Sequence, residues 1–173
     1  MATFNASDAT VTVYTFKDGL LSKVAHDLQV SATSFSINAD TQNISAQLDP
    51  RSFRVDHCMK QGKPAHGTLS AGDKKKIEGN IVKDVLNSRR FPQITFVSTE
   101  VTKDGDNFSI KGELSLHGKK RSLNISARRQ GDRLCAEFWI HQPDFGIRSF
   151  KALMGAIKVK PDVKIVVSTP ADL

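Results

Sequence analysis

The chain has 173 residues, of which 39% are hydrophobic and 25% are charged, a composition that suits one folded domain over residues 1–173 and excludes a disordered chain. Its net charge of +7 favours anionic partners, although solubility alone would also explain it. No apolar run approaches the roughly 18 residues of a membrane-spanning helix, and the two cysteines, Cys58 and Cys135, are too few for a disulfide framework.

The N-terminal residues 1–11 lack the basic and apolar regions of a secretory signal. Both cysteines are expected to be free thiols, which fits reducing surroundings. The sequence therefore predicts a cytoplasmic protein, with a periplasmic location as the alternative if a signal has been removed.

Period-2 alternation of apolar and polar side chains predicts four short strands in the first part of the chain. They cover residues 10–16, 26–37, 44–48 and 53–57. The second strand needs a bend or bulge at its polar Thr33-Ser34 step. In the fourth strand, His57 falls on the same parity as Phe53 and Val55.

One segment has helical periodicity instead. Ile77, Ile81 and Val85 recur at i, i+4 and i+8, and Asp73 can cap the first turn. This pattern predicts a helix over residues 73–87. The preceding residues 58–72 contain glycine and proline and have no strand pattern, so we expect them to be irregular.

The second part of the chain predicts an antiparallel meander over residues 91–128, with turns at Lys103–Asp106 and His117–Lys119. Further strands follow at 134–140 and 163–167, and residues 149–157 predict a short helix or turn. The count is about nine strands and one substantial helix.

These patterns define an all-β fold. So many antiparallel strands must close or pair to hide their edges, and a barrel of about eight strands has room either for one ligand or for its own side chains. Composition alone leaves both a cavity and a filled core open.

Four sequence segments, taken in their order along the chain, give it a resemblance to the YceI-like family, which consists of lipid-binding proteins with a lipocalin-like barrel. They are AHDLQVSATSF at 25–35, VLNSRRFPQITFVSTEV at 85–101, GELSLHGKKRSLNI at 112–125 and HQPDFGIRSF at 141–150. The resemblance implies a closed or extended eight-stranded antiparallel barrel with the helix near its mouth. It also implies a long apolar ligand, commonly a polyisoprenoid or a fatty-acid-like molecule, and a homodimer. Many members are exported to the periplasm, whereas this chain shows no signal.

The candidate ligand-binding residues share the inward parity of neighbouring strands. They are Phe35, Ile37, Leu48, Phe53, Phe96, Phe108, Ile110, Leu114, Leu123, Ile125, Phe138, Ile140 and His26. His26 is the polar member: it is either a core histidine bonded to backbone or a contact to a ligand head group.

The predicted function is non-enzymatic binding, transport or storage of a long apolar lipid such as a polyisoprenoid, an isoprenoid quinone or a fatty-acid-like molecule. One alternative is a small enzyme acting on a lipid in the same cavity. The other is a basic interaction module with a filled barrel.

No catalytic set, metal site or cofactor is predicted, since the histidines and cysteines lack metal-ligand spacing and no Gly-x-Ser-x-Gly or phosphate-binding loop occurs. The lysine runs at Lys74–Lys76 and Lys119–Arg121 suggest an anionic membrane surface as a second partner. Nucleic acid is disfavoured, because the phenylalanines lie on the inward parity and not among the basic residues.

Overall fold

The computed structural model describes residues 1–19 and 25–172. Over these residues the chain forms fourteen β-strands and one α-helix. The strands are β1 (Ala2–Asn5), β2 (Thr10–Thr15), β3 (Asp27–Ala32), β4 (Phe35–Ala39), β5 (Ile44–Leu48), β6 (Phe53–Lys60), β7 (Lys63–Ala65), β8 (Ile94–Asp104), β9 (Asn107–Leu116), β10 (Lys119–Gln130), β11 (Arg133–His141), β12 (Lys151–Ala152), β13 (Ile157–Lys158) and β14 (Asp162–Pro170). The helical segments are α1 (Ala71–Asn80), a π-helical turn (Ile81–Val85) and three 3-10 turns (Pro50–Ser52, Gln142–Phe145 and Leu153–Gly155).

Twelve of the described strands form one antiparallel sheet, the main sheet, in the order β1-β4-β5-β8-β9-β10-β11-β14-β2-β3-β6-β7. The sheet curves like a half-barrel, so that strands from both halves of the order line one space. An all-β fold with one helix is therefore confirmed, but the count of eight strands is wrong. The sequence pattern missed β1 and β7, and it joined β3 and β4, which the Thr33-Ser34 step separates.

Strand β9, the middle strand of the predicted meander, shows why the alternation works as a signal. In β9, Phe108, Ile110, Leu114 and Leu116 are buried, whereas Ser109, Lys111 and Glu113 on the other parity are exposed. Since successive side chains of a strand point to opposite faces, this segment has one stable way to lie on the core.

Helix α1 starts earlier and ends earlier than predicted. Ser70 is its N-cap, and Ser70 and Asp73 form a reciprocal capping box, which places Asp73 inside the first turn. After Asn80 the helix widens into the π-helical turn, where the Leu86 N–H donates to the Ile81 carbonyl at 2.9 Å.

Helix α1 covers one edge of the main sheet at a place where no further described strand pairs with it. Among the described residues, β7 pairs only with Cys58–Lys60, which leaves the Phe53–His57 part of β6 without a second ladder partner. Glu78 of α1 accepts a hydrogen bond from the Val55 N–H at 2.9 Å, and the Lys74 ammonium donates to the Asp56 carbonyl at 2.7 Å. Two helix side chains thus satisfy edge groups that a strand would otherwise pair.

Residues 149–157 form neither a regular helix nor a simple turn. Strands β12 and β13 pair as a separate hairpin, here called the mouth hairpin, and the 3-10 turn Leu153–Gly155 is its tip. The segment 58–72, predicted to be irregular, contains the end of β6 and all of β7.

Candidate functional site: an apolar cavity inside the main sheet

The concave face of the main sheet encloses an apolar cavity of about 710 Å³, the main cavity. Its wall comes from strands on both sides of the sheet order, from α1 with its π-helical turn, and from the mouth hairpin. Its volume lies within the range of about 300–1,000 Å³ that is typical of small-molecule sites.

Of the thirteen candidate residues, twelve line the main cavity. They include His26 and the aromatic side chains Phe35, Phe53, Phe96 and Phe138. The thirteenth, Phe108, does not line it.

Phe108 is buried beside the β8–β9 turn, in a cluster with Ile125 and Ala127. The Lys103 ammonium lies 5.4 Å from the centre of its ring. Phe108 shares the inward parity of β9, but it lies at the turn end of the strand, beyond the residues of β9 that line the main cavity. Parity alone does not reveal how far along a strand the cavity extends.

Several cavity residues were missed by the sequence reasoning. Val13 of β2 and Ile165 of β14 carry the same period-2 signal as the chosen residues. Ile77 and Ile81 come from the helical stripe, and Ile157 comes from the mouth hairpin. The strand residues could have been found from parity, whereas the helix and hairpin contributions depend on packing between distant segments.

One polar part of the wall lies on the α1 side. His26, Thr68, Asp73, Lys76 and Asn80 all line the cavity there. Hydrogen bonds from the Ser70 side chain and backbone, with smaller contributions from Lys76 and His26, lower the pKa of Asp73. Asp73 is therefore a carboxylate at neutral pH, and this rim offers both signs of charge to the polar end of a ligand.

A β-bulge separates His57 from the cavity. The ladder with β3 pairs Val30 with Val55 and Gln29 with His57, so Asp56 is an extra residue. The bulge reverses the parity: Cys58 is buried at 2% exposure, and His57 packs against His66 with ring centres 4.8 Å apart. His57 therefore does not lie on the apolar face of Phe53 and Val55, although it has the same parity in the sequence.

The two cysteines are free among the described residues. Burial raises the pKa of the Cys58 thiol, which disfavours the reactive thiolate. Within residues 1–19 and 25–172, no group of three or more His, Cys, Asp or Glu side chains is arranged to hold a metal ion.

The Asp-Phe-Gly-Ile segment at residues 144–147 packs against the β9–β10 turn. Phe145 and Ile147 are buried, and Gly146 ends the 3-10 turn with a φ of 70°, in the left-handed region that favours glycine. His117 Nδ1 lies 3.2 Å from the Phe145 carbonyl oxygen. This motif therefore positions one end of the main sheet.

Fold and site define a curved antiparallel sheet protein with a large apolar cavity. The chain matches the model of the YceI-like domain over residues 2–171, and it belongs to that family. A protein named YceI from Escherichia coli strain UMN026 is 45% identical over 51 residues, which are 28% of this chain and 27% of that relative. The matched part is thus well under two thirds of the length of this curated relative.

The fold is shared with solved structures, among them a Burkholderia cenocepacia protein and a Saccharophagus degradans domain. Burkholderia cenocepacia BcnA has a TM-score of 0.66 at 17% identity, covering 95% of this chain and 96% of its own. A Saccharophagus degradans domain, described as polyisoprenoid-binding and implicated in plant cell wall breakdown, has a TM-score of 0.59 at 10% identity, covering 97% of both chains. Over the residues that the structure describes, no helix is both long and apolar enough to cross a membrane.

Proposed function

We propose that the protein binds one long apolar lipid, an isoprenoid or a fatty-acid-like chain, in the main cavity and carries or stores it unchanged. The observation that carries this proposal is the cavity itself, about 710 Å³ lined mainly by aliphatic and phenylalanine side chains. Membership of the YceI-like family supports it, as does the likeness of fold to a domain described as polyisoprenoid-binding.

Burial of apolar surface would supply the affinity. Each CH₂ group moved out of water contributes about 0.8 kcal/mol, so a chain of about a dozen such groups binds well with few polar contacts, even after the cost of ordering it. Hydrogen bonds would then set only the direction of the ligand. In this proposal the polar end lies at His26 and Lys76, and the tail runs toward Phe96 and Ile125.

The same cavity favours a binding role over an enzymatic one. Catalysis needs a nucleophile or an acid–base pair held at hydrogen-bond distance from the reacting atoms. The deep wall, represented by Phe96, Ile110 and Leu123, offers a lipid apolar contact only.

A cavity-filling variant tests the proposal. Ala46 of β5 lines the cavity, so Ala46→Phe should add a ring to the space the lipid needs. Ser45→Phe places the same ring on the opposite face of the strand and is the matched control. Each protein is purified, and bound lipid is measured by native mass spectrometry and organic extraction.

We expect the wild-type protein and Ser45→Phe to carry lipid. The amount of lipid bound to Ala46→Phe should be lower by at least about tenfold. Thermal unfolding should show that Ala46→Phe remains folded. If none of the proteins takes up an isoprenoid or a fatty acid, even when these are supplied, the proposal is wrong. The same mass spectra report whether the protein is a homodimer, which stays a prediction.

A further inference from the structure

The tip of the mouth hairpin exposes two large apolar side chains. Met154 is fully exposed and Leu153 is 65% exposed. Both have positive φ angles, 55° and 49°, a conformation that residues with a Cβ rarely adopt. The turn therefore holds two apolar side chains toward solvent in an unfavourable backbone conformation, which indicates a role for the exposed tip.

The base of this hairpin is fixed, whereas its tip is free to contact a partner. The Asp18 N–H donates to the Lys158 carbonyl at 2.8 Å, and the Lys160 N–H donates to the Phe16 carbonyl at 2.8 Å. These bonds hold the hairpin against the end of β2. The tip is continuous with the main cavity, because Leu153 lines the cavity while remaining exposed.

Positive charge surrounds the base. Lys151, Lys158 and Lys160 all act on the Asp18 carboxylate and lower its pKa, with the hydrogen bond from Lys158 as the largest cause. Lys158 forms an ion pair with Asp18 at 2.7 Å, so three lysines surround one carboxylate and leave a local excess of positive charge. Lys151 and Lys160 are exposed.

We propose that the mouth hairpin docks the protein on an anionic lipid bilayer, with Leu153 and Met154 entering the interface and Lys151 and Lys160 facing the head groups. Apolar side chains beside lysines fit a surface that is anionic outside and apolar beneath. This proposal rests on the proposed function, since a bilayer is the source from which a lipid would enter the adjoining cavity.

Vesicle binding tests the apolar contact. The double variant Leu153→Ser/Met154→Ser should bind vesicles of mixed phosphatidylcholine and phosphatidylglycerol at least about tenfold more weakly than wild type, because two apolar side chains no longer leave water. Val97→Ser is the matched control, since Val97 is 56% exposed on a strand outside the hairpin. It should bind as wild type does.

A second pair of variants tests the charges. Lys151→Gln/Lys160→Gln should weaken binding and flatten its decline with salt. Lys120→Gln/Arg121→Gln removes the same charge from the start of β10, outside the mouth hairpin, and should change binding less. Met154→Trp in a Trp139→Phe background should show a blue-shifted emission on mixed vesicles but not on pure phosphatidylcholine.

Three results would overturn the docking proposal. The first is equal vesicle binding by the tip variant and the wild-type protein, and the second is no vesicle binding by the wild-type protein at low salt. The third is a wild-type dimer that the tip variant fails to form, with no vesicle binding by either protein. This third result would assign the tip to contact with a second copy of the chain. Uptake of a fatty acid by the wild-type protein, with no vesicles present, is measured in parallel. Normal uptake with any of these results leaves the proposed function standing, whereas failed uptake with normal docking rejects only the cavity proposal.

Discussion

Gly112 lies on the buried face of β9, directly beside the neighbouring strand β8. A Cβ added at this position would come within 2.4 Å of Phe96 Cζ and within 2.6 Å of the Val97 carbonyl oxygen. The ring has space in the main cavity to move into, but the carbonyl belongs to the backbone of β8. Gly112→Ala therefore requires the two strands to shift apart.

The change in the free energy of unfolding caused by Gly112→Ala is the sum of two opposing contributions. Overpacking of this kind costs about 1–3 kcal/mol, and replacing a glycine inside a strand recovers about 0.5–1 kcal/mol. The difference is an expected loss of about 0–2.5 kcal/mol, with a midpoint of about 1 kcal/mol, in the free energy of unfolding, measured by urea denaturation. In a thermal scan, each kcal/mol should lower Tm by about 2–4 °C.

Gly79→Ala is the matched control. Gly79 lies in α1 with open space around the position of a Cβ, so alanine there should stabilise the protein by about 0.5–1 kcal/mol. In a Phe96→Leu background the clash with the ring disappears and the clash with Val97 remains, so the double-mutant cycle separates the two. The reasoning is refuted if Gly112→Ala is at least as stable as the wild-type protein and if the Phe96→Leu background leaves the effect of Gly112→Ala unchanged.

Two further predictions concern α1. Glu78→Ala should lower the free energy of unfolding by about 1–3 kcal/mol, because the Val55 N–H loses its acceptor; Glu78→Gln should cost less, since its amide oxygen still accepts, and equal losses in urea denaturation would contradict this. Hydrogen bonds from Ser70 hold the pKa of Asp73 below its unfolded value, so the Asp73 contribution is present above about pH 4 and is lost as pH falls further. Asp73→Asn should therefore be less stable than wild type at neutral pH, with the difference shrinking below about pH 4; a constant difference would show that Asp73 acts by another route.

The sequence predicted correctly the inward-facing residues of those strands whose alternation is uninterrupted. Leu114 and Leu123 face inward because their strands run without an extra residue. The alternation in β6 fails for the opposite reason, since Asp56 adds one residue to the ladder. Gln29 and Ser31 donate to the Asp56 carboxylate at 3.0 and 2.5 Å from the neighbouring strand. The groups that stabilise this bulge are distant in sequence, so no local pattern could predict it.

The sequence also could not predict where α1 packs on the sheet, because the contacts join residues that are distant in the sequence. The stripe of Ile77 and Ile81 predicts that the helix buries one face, but it does not identify the surface that receives it. In the structure that surface includes the free edge of β6, where Glu78 and Lys74 bond to backbone groups. A fully closed barrel would join this edge to another strand through a ladder of backbone hydrogen bonds. Because α1 takes that place, two side-chain hydrogen bonds and apolar packing hold this part of the cavity wall. Separating the wall here breaks fewer backbone bonds than separating any pair of long neighbouring strands, such as β9 and β10.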